Sequence, residues 1–333
     1  MKRRIGNLFW RIAGYGLLVC ALGGGFSGGP RRGGVGVQRE KGWLNAGPSC
    51  VVPIDGTAAP GTGDQLATEL SRGAREMARL PDGQRAVTIS GDLPRLGSLC
   101  VDLSNGVEDG GHKPPKIDHT RPIGILLVNS YEVKAQPLLI NGARLYFDLT
   151  ASDAELQVRQ DEEKKCIVLL SGARRATFKA TVADADIQSV CSTSAKALAK
   201  KFGFDVRSCT ADLTAPNPRQ LDVKLHVKLG RPIGGDLVFA AQMDIGKDLT
   251  GQVSDITCRG NGPTGVLIAT LLTPVLFVQN GQTRPLLEFP GDRMEARDVS
   301  VTMGPAQADG RAAALHVTVD FGDVPAGGQS SGQ

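Results

Sequence analysis

Residues 221–229 read Leu-Asp-Val-Lys-Leu-His-Val-Lys-Leu. This places Leu221, Val223, Leu225, Val227 and Leu229 on one side of an extended strand and Asp222, Lys224, His226 and Lys228 on the other. The same period of two returns at Leu237, Phe239, Ala241, Met243 and Ile245 and, more briefly, over 253–258. Earlier in the chain the pattern predicts strands over 86–90, 98–104, 123–128, 145–150, 155–160, 166–170 and 176–182. Two more are expected near 297–303 and 313–321. Turn chemistry punctuates them: Asn141-Gly142 stands ahead of one strand, and Asp161-Glu162-Glu163-Lys164-Lys165 makes a charged hairpin tip.

Three segments change to a helical period. Over 64–80, Leu66, Leu70, Ala74, Met77 and Ala78 recur behind a capping Asp64, and Pro81-Asp82-Gly83 stops the run. Over 184–202, Asp184 caps and Ile187, Val190, Cys191, Ala195, Leu198 and Phe202 form one apolar stripe. There Lys196, Lys200 and Lys201 suit the negative helix end, and Gly203 terminates it. The third segment, 266–278, reads Val-Leu-Ile-Ala-Thr-Leu-Leu-Thr-Pro-Val-Leu-Phe-Val and is apolar almost all round, so protein or lipid must cover every side of it. Pro274 kinks it. Runs of strands with helices interposed, rather than alternating with them, predict an α+β fold built on a mainly antiparallel sheet.

With 333 residues, 41% hydrophobic and 22% charged, the chain can bury an ordinary core, which excludes a wholly disordered chain and a multi-span membrane protein. The net charge of +4 has a location. Lys2, Arg3, Arg4 and Arg11 lie in the first 29 residues with no acid among them, and the remainder balances 34 basic against 34 acidic residues. A nucleic-acid partner is therefore not expected, because it would need a basic face on the folded part. The basic start, the apolar run over 12–22 and the following Gly23, Gly24 and Gly25 read instead as an export signal or, second, a membrane anchor. Residues 30–63, rich in Gly, Pro and Ala, are expected to be a flexible linker; 64–324 a single domain; and 325–333 a disordered tail. Localisation outside the cytoplasm, periplasmic or in the cell envelope, follows from the leader.

Export gives the cysteines a meaning. Cys50, Cys100, Cys166, Cys191, Cys209 and Cys258 follow the leader, widely spaced and without a CxxC pair. Metal and thioredoxin-like readings fail on that spacing, while disulfides and buried free thiols both stay open.

Catalytic chemistry is sparse. Gly260-Asn261-Gly262-Pro263-Thr264-Gly265 fits GxGxxG between a strand and a helix, with Glu288 near the distance of a ribose-binding acid. Antiparallel neighbours and Pro263 inside the loop favour a plain Gly-Pro turn over a dinucleotide site. His226 and His316 occupy polar strand positions, and His112 and His119 lie with Asp118 in a Gly- and Pro-rich loop; none has metal-ligand spacing. No GxSxG elbow supplies a nucleophile. The expectation is a protein that is not an enzyme, with no catalytic residue, no metal and no cofactor.

What the chain has in excess is apolar surface on two helices. An elongated slot lined by Ile187, Val190, Leu198, Leu267, Ile268, Leu271, Leu272, Leu276 and Phe277 could keep an acyl chain out of water, each buried methylene contributing ~0.8 kcal/mol. The alternative is a filled core in a structural or protein-interaction module of the envelope.

The order of elements resembles that of the LmeA-like phospholipid-binding family. The resemblance is carried by Arg85-Ala86-Val87-Thr88-Ile89-Ser90-Gly91 with the strand at 96–103. It is carried also by Ala176-Thr177-Phe178-Lys179-Ala180-Thr181-Val182-Ala183-Asp184-Ala185-Asp186-Ile187 running through an acidic cap into the amphipathic helix. The later strands, the apolar helix and the strand at 297–303 keep the family's order over roughly residues 64–302. The six cysteines and the segment 112–121 depart from it. The resemblance implies an exported protein that binds phospholipid or another acyl lipid at a membrane surface. It also implies a tubular lipid-binding (BPI-like) fold, in which a strongly curved sheet wraps two or three helices. It implies no catalytic residue.

Overall fold

The computed structural model describes residues 51–54, 58–108, 122–140, 142–160, 164–201, 205–230, 234–246, 250–277, 280–281, 283–285, 294–305 and 313–323. The leader, most of the expected linker, the tail, Cys50, His112 and His119 lie outside them. In chain order the elements are β1 (Val51–Pro53), α1 (Gly63–Met77), β2 (Ala78–Arg79), β3 (Val87–Asp92), β4 (Arg95–Asp102), β5 (Val107–Glu108), β6 (Gly124–Ile140), β7 (Ala143–Gln160) and β8 (Cys166–Ala183). Then follow α2 (Asp184–Lys201), β9 (Val206–Asn217), β10 (Gln220–Leu229), β11 (Asp236–Ile245), β12 (Thr250–Asn261), α3 (Gly262–Phe277), β13 (Thr283–Pro285), β14 (Met294–Pro305) and β15 (Ala313–Asp323). The fold is α+β.

Two open sheets carry it. The larger has ten strands along the path β14-β15-β8-β7-β6-β4-β3, with β1 beside β8, the short β5 beside β6 and the short β2 beside β5. Its pairings are antiparallel except that β4 and β5 run parallel to β6. The smaller is a meander, β13-β12-β11-β10-β9, antiparallel throughout. Gly142, with φ +83°, turns the β6–β7 hairpin, as its Asn-Gly sequence predicts.

Strands β6, β7 and β8 run 17, 18 and 18 residues, roughly 60 Å each, where the sequence pattern suggested shorter pieces. The alternation breaks inside each strand because the buried face changes, not because the strand ends. On β6, Leu126 and Val128 are buried on one side of the break and Tyr131, Val133 and Ala135 on the other. On β7 the same switch separates Ala154, Leu156 and Val158 from Leu145, Phe147 and Leu149. A polar row marks the crossing: Ser90, Ser98, Ser130, Ser152 and Arg175 stand in register across β3, β4, β6, β7 and β8. Ser90 and Ser98 share a hydroxyl hydrogen bond of 2.8 Å, and Arg174 reaches Asp153 at 3.4 Å.

Each end of the large sheet has its own cover. α1 buries Leu66, Leu70, Gly73 and Ala74 and packs against β1, β3 and β4. Its cap is Thr62, whose hydroxyl accepts from the Gln65 N–H, while Asp64 sits in the first turn. Gly73 approaches the Pro53 carbonyl so closely that any Cβ would collide with it. Val52 and Ile54 are buried, so residues 51–54, inside the expected linker, belong to the folded body. At the other end α2 joins the two sheets. Asp186 accepts from Arg144 at the start of β7 at 3.1 Å, and Gln188 grips the edge strand β9 by accepting from the Ala211 N–H at 2.7 Å and donating to the Ala211 carbonyl. A second seam lies where the Val301 N–H of β14 donates to the Pro218 carbonyl at 2.8 Å and Arg219 meets Asp298 at 3.4 Å. The buried side chains of both sheets form one contiguous core.

Candidate functional site

An uninterrupted apolar row lines the inner face of β10. Leu221, Val223, Leu225, Val227 and Leu229 all turn to the core, and Asp222, Lys224, His226 and Lys228 turn away, as the alternation requires. α2 packs on β9 to one side of this row and α3 packs on β11 and β12 to the other. The row therefore lies between two helices. Burial along it is uneven: Leu221 keeps 0% and Leu225 4% of its surface, Val223 7%, and Val227 and Leu229 9% each, all five within the core.

The nine residues expected to line a slot divide over this arrangement. Ile187 and Val190 of α2 are buried, and on α3 Leu276 is buried while Ile268 and Leu272 are half-buried against the core. These five flank the β10 row. Leu267, Leu271 and Phe277 point away from the sheet, 60%, 67% and 72% exposed, beside Val266. A helix that lies on a single sheet layer can turn only part of its circumference to that layer, so the all-round apolar pattern leaves an uncovered face. The side chain of Leu198 lies outside the described residues. The inward row of β10 was legible as a strand, but alternation alone does not say whether an apolar face meets a filled or an open interior.

The glycine motif between β12 and α3 has a packing role. A Cβ on Gly260 would strike the Gly265 carbonyl, and one on Gly265 would come within 2.8 Å of the Asp236 carbonyl oxygen, so these glycines let α3 begin in contact with β11 and β12. Gly262, at φ +76°, makes the turn. Both neighbours of β12 are antiparallel, so no βαβ unit surrounds the motif.

Beside that corner the ends of β9, β10 and β11 border an open hollow of about 310 Å3, lined by Arg207, Lys228, Leu229, Gly230, Gly234, Gly235 and Asp236. Leu229 is thus both the last member of the inward row and a border of the hollow.

Titratable groups elsewhere sit on polar strand faces. Cys100, Glu132, Lys134 and Asp148 neighbour one another across β4, β6 and β7, with Lys134 3.3 Å from Glu132. Burial, then a hydrogen bond to Glu132, pushes the Cys100 thiol up to about 11. Burial, then the charge of Glu132, raises the Asp148 carboxyl, whose Oδ1 has no hydrogen-bond partner. A thiol held protonated at neutral pH is a poor nucleophile. Cys209 and Cys258 are likewise pushed to about 11 by burial, and these two and Cys100 are free thiols. His226 meets Asp212 at 3.2 Å on the outer face of the small sheet, and His316 shares a hydrogen bond of 3.0 Å with Thr181. Among the described residues no group of three or more His, Cys, Asp or Glu is placed to hold a metal ion. No described helix is long and apolar enough to cross a membrane.

No family model, no curated protein and no solved structure matches the chain.

Proposed function

We propose that this protein binds phospholipid or another acyl lipid without catalysis, along the inward row of β10 between α2 and α3, in an exported protein of the cell envelope. The observation that carries the reading is a wholly apolar strip set between two helices, on which Val223, Val227 and Leu229 keep a small residual exposure. Burying hydrocarbon against such a strip needs no polar site, and each methylene taken from water contributes ~0.8 kcal/mol. The basic, then apolar, N-terminal sequence supports delivery out of the cytoplasm. The two sheets, joined through α2 and at the β14 seam, are consistent with a bent wall around a helix, the arrangement implied by the resemblance to LmeA-like proteins. The sealed packing beneath α1 favours a second reading, a filled structural module, if the same packing extends across β10.

Val227→Trp separates the two. In a lipid-binding trough the indole occupies the space of the ligand: uptake of a fluorescent phospholipid falls several-fold while the melting temperature hardly moves. In a filled core the same change overpacks and costs about 1–3 kcal/mol. A destabilised variant with no uptake by the wild type contradicts the proposal.

A further inference from the structure

Gln188 fixes the register between α2 and β9. Its side chain accepts from the Ala211 N–H at 2.7 Å and donates to the Ala211 carbonyl, so the two residues lie level. Four residues separate Lys201 at the end of α2 from Val206 at the start of β9, so helix and strand run in opposite directions from that level. Three residues on from Gln188 the helix has risen about 4.5 Å, to Cys191. Two residues back from Ala211 the strand has covered about 6.6 Å, to Cys209. The cysteines therefore stand within about 2 Å of the same height. Their faces agree as well. At about 100° per residue, Cys191 falls between Gln188 and the buried Ile187 on the helix surface, and Cys209 shares the inward strand face of Ala211. Both cysteines are buried in one core, 3% and 5% exposed.

From this register we infer that Cys191 and Cys209 are a disulfide pair, thiols in this structure and joined under oxidising conditions, which staples α2 to the edge of the small sheet. A disulfide needs its Cα atoms within about 7 Å, and the other described cysteines stand elsewhere. Cys258 lies on β12, three strands or about 14 Å from β9. Cys166 opens β8, a strand of 18 residues that must be crossed before α2 begins, and Cys100 lies on β4 opposite Glu132 of β6. The chemistry is exchange with a small disulfide such as oxidised glutathione. One protein thiolate attacks it and expels a thiol; the second attacks the protein sulfur of the mixed disulfide and expels another. The protein gives up two protons and two electrons, and the oxidant leaves as two thiols. Burial pushes the Cys209 thiol up to about 11, so exchange is slow in the closed fold and the bond is made while α2 is open. An exported protein meets such conditions, and the pairing does not depend on the lipid reading.

The test uses the full-length protein, purified with its thiols reduced and then equilibrated with reduced and oxidised glutathione until the count of free thiols is constant. Remaining thiols are alkylated and the protein is digested with trypsin without reduction. Cleavage after Lys179, Lys196, Arg207 and Arg219 places Cys191 in residues 180–196 and Cys209 in 208–219. These peptides are expected as one species, lighter than their sum by two hydrogens and separated by reductant. The oxidised protein should melt roughly 5 °C or more above the reduced protein, and Cys209→Ser should lose that rise. The mapping needs no variant, so a Cys209→Ser protein that fails to fold leaves the wild type to decide. Both peptides alkylated, glutathione retained on either cysteine, or a link from either to another cysteine overturns the pairing. A link formed only when the protein is oxidised in denaturant overturns it too.

Discussion

Glu108, at the end of β5, is held well above the ordinary carboxylate range by burial, at about 6 against 4.5. The folded protein therefore binds this proton more tightly than the unfolded chain does. The stability that results is complete below about pH 4.5 and is lost as pH rises through about 6. Glu108→Gln removes the titration. Chemical denaturation across pH 4–7 should show a flatter profile for the variant, and a gain at pH 7 of up to about 1 kcal/mol once solvent screening is allowed for. Parallel profiles for the two proteins would contradict the account. Other residue-scale features follow the same physics of burial. Cys100, Cys209 and Cys258 behave as small apolar side chains with little thiolate at neutral pH, and the glycines at 260 and 265 are fixed by close backbone approach, not by a nucleotide.

At the scale of elements, one amide ties α2 to the edge of the small sheet. Gln188 satisfies both backbone groups of Ala211 on β9, an edge strand whose outward N–H and C=O have no further strand to pair with. Gln188→Ala leaves that buried pair unsatisfied and should cost about 1–3 kcal/mol in thermal or denaturant unfolding; an unchanged midpoint would show that α2 is anchored elsewhere. Much of the element order was legible in the sequence, because capped helices and alternating strands each carry their own period. Helix α2, strands β10 and β11 and the Asn-Gly hairpin stand where the pattern placed them. The long strands were read as fragments, because a strand that changes its buried face breaks alternation in the same way as a turn does. Ser152-Asp153 and Arg174-Arg175 look like loop residues and are the polar crossing of a continuous sheet. β9 escaped notice because its buried positions, Val206, Cys209 and Ala211, are small and out of step by a bulge. The outward turn of Leu267, Leu271 and Phe277 was hidden for a different reason: a helix apolar on every side does not announce which side meets protein.

The whole molecule is organised by the two ends of its large sheet. Under α1, Leu66, Leu70 and Ala74 are fully removed from water. The end beneath α2 faces the small sheet across an apolar interior, and there the proposed lipid lies. The proposed function places binding away from the tightest packing, so that a ligand could enter and leave without disturbing it. The most direct measurement is native mass spectrometry of the protein purified without detergent, before and after addition of phosphatidylglycerol. The account predicts a population heavier by the mass of one phospholipid, released on denaturation and identifiable in an organic extract. A single species at the mass of the bare chain, unmoved by added lipid, would contradict it.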